Sequence, residues 1–342
     1  MTPPLVSICI PTYHRPECLR RAVESCWAQT HSHFEIIITD NSTNNDTADM
    51  VAKWTDPRVR YYNNGGNIGA TASANRALSL ATGRHIHLLM DDDLIKPRFL
   101  ELMVKALEEH PTAGIAMAPM DLLDENFQRI FPRFYVFQKM RYRFRYQVGD
   151  GLIERRRVLR DFLTGVRSRK PSEYPCTVPS GFLLRGEAFR RAGPSTEEAD
   201  FAGDLALCMR VAAEWDFYYI DQVLSSWRYV PEGHTSRGHH TGLKISVFYS
   251  ITRQCLAQEA VRQLFRDEWE KTVRDSLFFC SCRALLNVLA GLRARSPKLI
   301  FSALNTILRE DKYMFNRVRL PVFVVREILV SLFPPQEPPP RE

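Results

Sequence analysis

His85-Ile-His-Leu-Leu-Met-Asp-Asp-Asp-Leu-Ile-Lys-Pro97 is the stretch whose reading decides the fold. The apolar run Ile86 to Met90 reads as a buried strand, and Asp91, Asp92 and Asp93 fall where that strand surfaces. Like charges so close repel and shift one another's pKa values unless a cation compensates them. Mg²⁺ and its relatives take oxygen ligands, typically one or two carboxylates plus substrate phosphates, so an Asp-x-Asp at a strand's carboxyl end reads as an anchor for a nucleotide's phosphates. The plain alternative is a solvated acidic turn leading into a helix that starts near Pro97.

Outward from this stretch, apolar segments alternate with helical ones from residue 5 to about residue 118. Leu5 to Ile10, Glu35 to Thr39, Val59 to Tyr62, His85 to Met90 and Gly114 to Ala118 read as strands. Pro16 to Gln29, Thr47 to Trp54, Ala70 to Ala81 and Pro97 to Glu109 read as helices. The pattern predicts an α/β domain with a largely parallel sheet. Ligands bind such sheets beyond the carboxyl ends of the strands, and there the sequence places Pro11, Thr12 and Tyr13, then Asp40 and Asn41, then Asn63 to Gly69, then Asp91 to Asp93. Each group alone reads as turn chemistry. Together they converge on one rim, where a Gly-rich loop opens a helix opposite three carboxylates, as a nucleotide diphosphate and its metal require.

Beyond residue 118 the alternation breaks down. Residues 131–147 interleave aromatics with Arg133, Lys139, Arg141, Arg143 and Arg145, and read as a strand or loop over the mouth of the site, or else as a half-buried edge strand. Residues 151–164 read as a helix, Pro179-Ser180-Gly181 as a turn and Asp200 to Glu214 as another helix; two short strands, Phe217 to Ile220 and Ser226 to Val230, lead to His234. From about residue 240 the pattern is helical until a Pro-rich, disorder-prone tail begins at Pro334. The expected division is a catalytic and nucleotide-binding domain over 1–235, a basic helical region over 236–333 and the tail over 334–342.

Charge sharpens that division. Residues 236–342 hold 17 Lys or Arg against 10 Asp or Glu, which is the whole of the net +7, while residues 1–235 balance at 29 against 29. The balanced part argues against a phosphate-tracking surface, so no nucleic acid is expected as a partner. The basic part carries Leu320 to Val325 and Ile328 to Phe333, each too short to span a bilayer; a basic amphipathic helix of this kind rests on an anionic membrane surface or packs on the domain before it. Eight cysteines without a Cys-x-x-Cys pair indicate neither zinc nor a disulfide framework and fit a reducing cytosol. Residues 1–10 show no secretory leader, so the expected location is cytoplasmic, with peripheral contact on the inner face of the cell membrane.

Four motifs in series then resemble the family 2 glycosyltransferases of the GT-A fold: Val6-Ser-Ile-Cys-Ile-Pro-Thr-Tyr-His-Arg15, Glu35-Ile-Ile-Ile-Thr-Asp-Asn-Ser42, Asn67-Ile-Gly69 with Asn75-Arg-Ala-Leu78, and Met90-Asp-Asp-Asp-Leu94 with Pro97. The resemblance covers about residues 5–235. It implies a Rossmann-like, mixed but mostly parallel sheet flanked by helices, with a helical extension at the C-terminus. It further implies that Pro11, Thr12, Tyr13 and Arg15 line the nucleotide pocket with Asn67, Gly69 and Asn75, and that Asp40 accepts a hydrogen bond from a pyrimidine. Asp91 would contact the ribose with Asp92 beside it, and Asp93, with Asp91 and a late histidine matched by His234, would hold Mg²⁺ or Mn²⁺. Ser180 and Gly181 would border donor sugar and acceptor, and Asp204 would be the catalytic base. Where the family carries Glu before that Asp, this chain has Gly203; Glu198 or Asp200 are candidates to replace it.

Chemistry supports the same roles. Sugar transfer needs a stabilised leaving diphosphate and a carboxylate to take the acceptor's proton, an effect worth on the order of 100- to 10,000-fold. One base opposite the leaving group gives displacement with inversion. The expected activity is therefore a metal-dependent inverting glycosyltransferase with a nucleotide-diphosphate sugar as donor, UDP favoured by family frequency. Its expected acceptor is a saccharide or lipid-linked saccharide in surface-polysaccharide assembly. Two competitors are a sugar-phosphate nucleotidyltransferase and a non-catalytic sugar-nucleotide-binding protein. The first needs a basic Gly-rich loop directly after the first strand, where this chain has Pro11-Thr-Tyr-His-Arg15; joint retention of Asp91, Asp93 and Asp204 argues against the second.

Overall fold

Four parallel strands, β1 (Val6–Thr12), β2 (Phe34–Asp40), β3 (Val59–Asn63) and β4 (His85–Leu88), form one half of the main sheet of a computed structural model. The structure describes residues 3–130, 149–164, 178–195, 202–229, 244–277 and 279–280. Both faces of β1 and β2 are covered, so Ile8, Ile10, Ile36 and Ile38 are buried beside Cys9 and Ile37, and the strands read as continuous apolar runs. The helix α1 (Pro16–Trp27) opens with proline at its first position and turns Leu19, Ala22, Val23 and Cys26 inward, the spacing of an amphipathic helix. It ends before Gln29, whose side-chain amide donates to the Lys96 carbonyl at 2.7 Å and accepts the Leu100 amide at 3.0 Å, tying α1 to the start of α4 (Phe99–Glu109).

Among the described residues the main sheet has eight strands in the order β3-β2-β1-β4-β10-β6-β11-β9. β10 (Phe182–Arg185) runs antiparallel between β4 and β6 (Ala113–Met117), so β6 restores the direction of β4 and β11 (Asp216–Tyr219) continues it beyond β6. A smaller sheet orders β5 (Leu94–Ile95), β12 (Ser225–Arg228), β7 (Met120–Leu123) and β8 (Arg129–Ile130). This is the mixed, mostly parallel α/β architecture that the motifs imply. One expectation is corrected: residues 151–164 are not helical throughout, because β9 (Gly151–Ile153) pairs antiparallel with β11 as an edge strand and α5 (Arg155–Thr164) follows it. A three-residue edge strand is too short to show an alternation, and α5's own period runs back into it.

The described residues fall into two compact units, one within Met1–Phe162 and Val166–Pro231, the other within Leu163–Gly165 and Glu232–Glu342. In the second, α8 (Lys244–Leu256) and α9 (Glu259–Leu264) bury Ile251, Cys255 and Val261. The strip over 131–147, His234, and the apolar stretches and Pro-rich tail beyond residue 280 lie outside the described residues. No described helix is long and apolar enough to cross a membrane.

One core group titrates with consequence. His87 on β4 is wholly buried, its Nδ1 donates to the Phe182 carbonyl at 2.8 Å, and its Nε2 meets no partner. Burial, only partly offset by the bond to Phe182, drops its pKa to about 4. The folded state then binds fewer protons than the unfolded chain between pH 6.5 and 4, so stability present above that window is lost as pH falls through it. Denaturant titration should show about 2 kcal/mol lost through His87 between pH 7 and pH 5. His87→Gln should flatten that part of the slope; an unchanged slope would rule His87 out as its source.

Candidate active site

The carboxyl ends of β1, β2 and β4 are stitched into one floor. The Asn41 amide donates to the Thr12 carbonyl at 2.9 Å, Asn64 to the Asp40 carbonyl at 2.8 Å, and Leu89 to the Cys9 carbonyl at 2.9 Å. At that floor the acidic turn after β4 closes through an Asp93 amide to Met90 carbonyl bond of 3.1 Å. Thr12, at the end of β1, donates its hydroxyl to Asp91 Oδ2 at 2.8 Å. Arg15, just before α1, reaches both Asp91 (3.3 Å) and Asp92 (2.8 Å) while staying 43% exposed.

The three carboxylates occupy different environments. Asp93 is fully enclosed: Ser180 donates its hydroxyl to Oδ2 at 2.6 Å and the Arg228 backbone amide donates to Oδ1 at 2.9 Å. Asp91 is nearly as enclosed, and Asp92 alone keeps 19% of its side chain open to solvent. Burial and the neighbouring Asp92 charge push the Asp91 carboxyl up to about 7, against the opposing pull of Arg15 and Thr12. Burial and Asp92 likewise hold the Asp93 carboxyl well above the usual range, despite its bonds to Ser180 and Arg228. Asp92 is therefore the member of the turn that opens to solvent, while Asp91 lies just behind it with one oxygen on Thr12 and the other on Arg15.

Asp93, which the resemblance gives to the metal, is the inward member of the turn, and Asp92 the outward one. Ser180, expected at the sugar, is buried in the 3₁₀ turn Pro179–Gly181; its oxygen accepts the Met90 amide at 3.2 Å while its proton goes to Asp93, so it joins that turn to the acidic one. Gly181 shares the buried turn and passes its carbonyl to the Ala118 amide.

The nucleoside end is equally pre-tied. Asp40 is fully buried, accepting the Tyr61 hydroxyl at 2.8 Å and the Ser42 amide at 2.8 Å. Asn41 donates to Asn67 Oδ1 (3.3 Å) and to the Gly69 carbonyl (3.2 Å), and Asn64 donates to Asn41 Oδ1 at 2.7 Å, so amides hold the Asn63–Gly69 loop against the end of β2. Gly69, at φ +93°, then turns the chain into α3 (Ala70–Ser79), a conformation that favours glycine. Tyr13 lies on the rim, 45% exposed. Asn75 is placed on α3 with its amide engaged by Ser195 rather than by the Asn63–Gly69 loop. Asp204 is the second residue of α7 (Gly203–Ala212).

Tyr61, Ser195 and the Arg228 amide are the contributors that sequence reasoning passed over. Tyr61 stood in a strand that reads only as apolar, and an amide carries no residue signal at all. Ser195 follows Gly193-Pro194 at a helix stop and reads as turn chemistry.

Comparison with known proteins fits this geometry. Over 148 residues the chain is 32% identical to an uncharacterized glycosyltransferase of Methanocaldococcus jannaschii, covering 41% of this chain and 51% of that protein. It is 40% identical over 89 residues to an Escherichia coli UDP-Glc:alpha-D-GlcNAc-diphosphoundecaprenol beta-1,3-glucosyltransferase, covering 26% of this chain and 36% of that one. The chain thus spans about half the length, or less, of the curated relatives it matches. Two solved structures share its fold. TarS of S. aureus, in complex with UDP-GlcNAc, aligns with TM-score 0.56 and 15% identity over 90% of this chain and 93% of that one. A mannosyltransferase of Pyrobaculum calidifontis, in complex with GDP-Man and Mn²⁺, aligns with TM-score 0.54 and 16% identity over 97% and 88%. A sequence model described as glycosyl transferase family 2 matches residues 7–191, more than half of the chain, and the chain belongs to that family.

Proposed function

We propose that this chain is a metal-dependent, inverting glycosyltransferase that moves a sugar from a nucleotide diphosphate to a hydroxyl acceptor. The observation that carries the reading is the adjacent pair Asp91 and Asp92 at the carboxyl end of β4, which share the Arg15 guanidinium and of which Asp92 is partly open to solvent. Hard carboxylate oxygens suit Mg²⁺ or Mn²⁺. Asp91 and Asp92 would hold that cation together with the donor's diphosphate. When bound, such a cation neutralises the charge that gathers on the departing diphosphate.

The chain's own residues do the rest. Asp93 works from behind: with Ser180 and the Arg228 amide it fixes the turn that aims Asp91 and Asp92. Arg15, freed from the carboxylates, is placed to take a phosphate oxygen. Asp40, held by Tyr61 and the Ser42 amide at the end of β2, would accept a hydrogen bond from the base, and the exposed Tyr13 ring would lie beside it. Asp204 accepts the acceptor's hydroxyl proton as that oxygen bonds to the anomeric carbon. The bond from that carbon to the phosphate oxygen breaks, and its electron pair leaves with the diphosphate. Attack opposite the leaving group inverts the anomeric centre. A UDP-sugar donor and a lipid-linked saccharide acceptor are supported by the activity for which the Escherichia coli relative is named and by the UDP-GlcNAc bound in TarS. The basic surplus of residues 236–342 suits an acceptor carried on an anionic membrane.

A thermal-shift panel of UDP, GDP and dTDP, with and without Mn²⁺, tests the donor class, since a selective ligand stabilises the folded state by mass action. The reading fails if no nucleotide shifts the transition in either condition. Calorimetry of UDP with Mn²⁺ should show affinity rising from pH 5.5 to 7 and levelling above, because Asp91 must shed its proton to serve as a ligand. Asp92→Ala should erase the metal dependence while leaving Tm within about 2 °C, since Asp92 pairs only with the half-exposed Arg15 among the described residues and its loss also relieves repulsion on Asp91. Ser180→Ala, by contrast, strands a buried carboxylate oxygen and the Met90 amide and should cost about 2–3 kcal/mol of stability; a neutral result would show that the turn does not depend on it.

A further inference from the structure

Three hydrogen bonds link the nucleotide side of the fold to the helix that carries Asp204. Asn75, on α3, donates Nδ2 to the Ser195 carbonyl at 2.7 Å and accepts the Ser195 amide on Oδ1 at 3.0 Å, a two-point clamp across 120 residues of sequence. Ser195 in turn donates its hydroxyl to the Gly203 carbonyl at 2.9 Å. Gly203 is the first residue of α7, and the Asp204 carboxylate beside it accepts the Leu205 amide at 2.7 Å, so it moves with the helix start. The fit is close. A Cβ at residue 203 would lie 3.3 Å from Ser195 Cβ and 3.4 Å from its Oγ, tighter than ordinary contact. Ser195 thus fills the space beside Gly203, and the glycine there lets the hydroxyl approach the chain.

We propose that Asn75 is a positioning residue: through Ser195 it sets where the opening turn of α7, and with it Asp204, stands relative to α3 and the Asn63–Gly69 loop. This rests on the reading of Asp204 as the base. It assigns Asn75 no contact with nucleotide, so its loss strikes the rate and spares the affinity. A displacement of about 1 Å at a reacting group costs up to about 100-fold in rate, which is the scale on which such a clamp acts.

Asn75→Asp keeps the side chain's size but turns an oxygen toward the Ser195 carbonyl, and Ser195→Ala removes only the bond to Gly203. Three measurements are made on the full chain. The first is nucleoside diphosphate release from UDP-glucose, UDP-N-acetylglucosamine and GDP-mannose with Mn²⁺. The second is the affinity for UDP and for GDP with Mn²⁺. The third is amide exchange over residues 203–206 in the free protein. Asn75→Asp should lower release about tenfold or more, hold both affinities within about twofold, and speed exchange at 203–206; Ser195→Ala should do the same more weakly. Unchanged exchange in both variants overturns the link whatever donor is used. Wild-type release in Asn75→Asp, in a protein that Asp204→Asn inactivates, overturns the positioning role alone. A loss confined to affinity also overturns it, by making Asn75 a nucleotide contact. Should Asp204→Asn retain full release, the assignment of the base fails, and this proposal with it. Ser195→Ala decides the matter if Asn75→Asp does not fold.

Discussion

A tripeptide of carboxylates held in place by burial is the constraint on which the rest of the site depends. Two unit charges about 4 Å apart repel by roughly 4 kcal/mol where the effective dielectric constant is near 20, so the acidic turn is held by compensation from its surroundings. The compensation comes from opposite sides. Thr12 and Arg15 arrive from the parallel half of the sheet and engage Asp91 and Asp92. Ser180 and the Arg228 amide arrive from the antiparallel β10 side and the small sheet, and engage Asp93. Neither set alone accounts for a turn in which one carboxylate faces inward and another outward.

That division explains why the fold is mixed rather than purely parallel. An all-parallel sheet would leave β4 flanked by a strand whose preceding loop lies at the opposite end of the sheet. Running β10 antiparallel brings the loop before it, Pro179–Gly181, to the carboxyl end of β4, where Ser180 meets both Met90 and Asp93. The small sheet serves the same end: β12, paired with β5 just after the acidic turn, delivers the Arg228 amide. Arg228 then stays put because its guanidinium donates to the Glu125 carbonyl and lies over the Phe127 ring.

The parallel half was legible because doubly covered strands must be apolar on both faces, so β1, β2 and β4 announce themselves as runs, and their carboxyl ends as the rim. Thr12, Arg15, Asp91 and Asp92 meet there through hydrogen bonds. The antiparallel insertions were not legible. β5, β8 and β9 are two or three residues long, and no periodicity is measurable over so few positions. The direction in which a carboxylate turns is not legible either: Asp92 and Asp93 are the same residue type in adjacent positions, and only the Ser180 hydroxyl and the Arg228 amide, 87 and 135 residues further on, decide that Asp93 is the inner one.

Long-range pairing of this kind also bears on how Gly203 is understood. Read along the chain, it is a departure from the family's Glu-Asp pair and suggests a lost function. Read in space, it is half of a pair whose other half is Ser195: the serine's hydroxyl donates to the Gly203 carbonyl, and a side chain at 203 would press on the serine's Cβ. At the first position of a helix a glycine forgoes less propensity than in the interior, and the part-buried hydroxyl-to-carbonyl bond works in the opposite direction. What remains is geometry, a helix start fixed to a neighbouring segment by a short, directional bond instead of by a long and mobile carboxylate side chain.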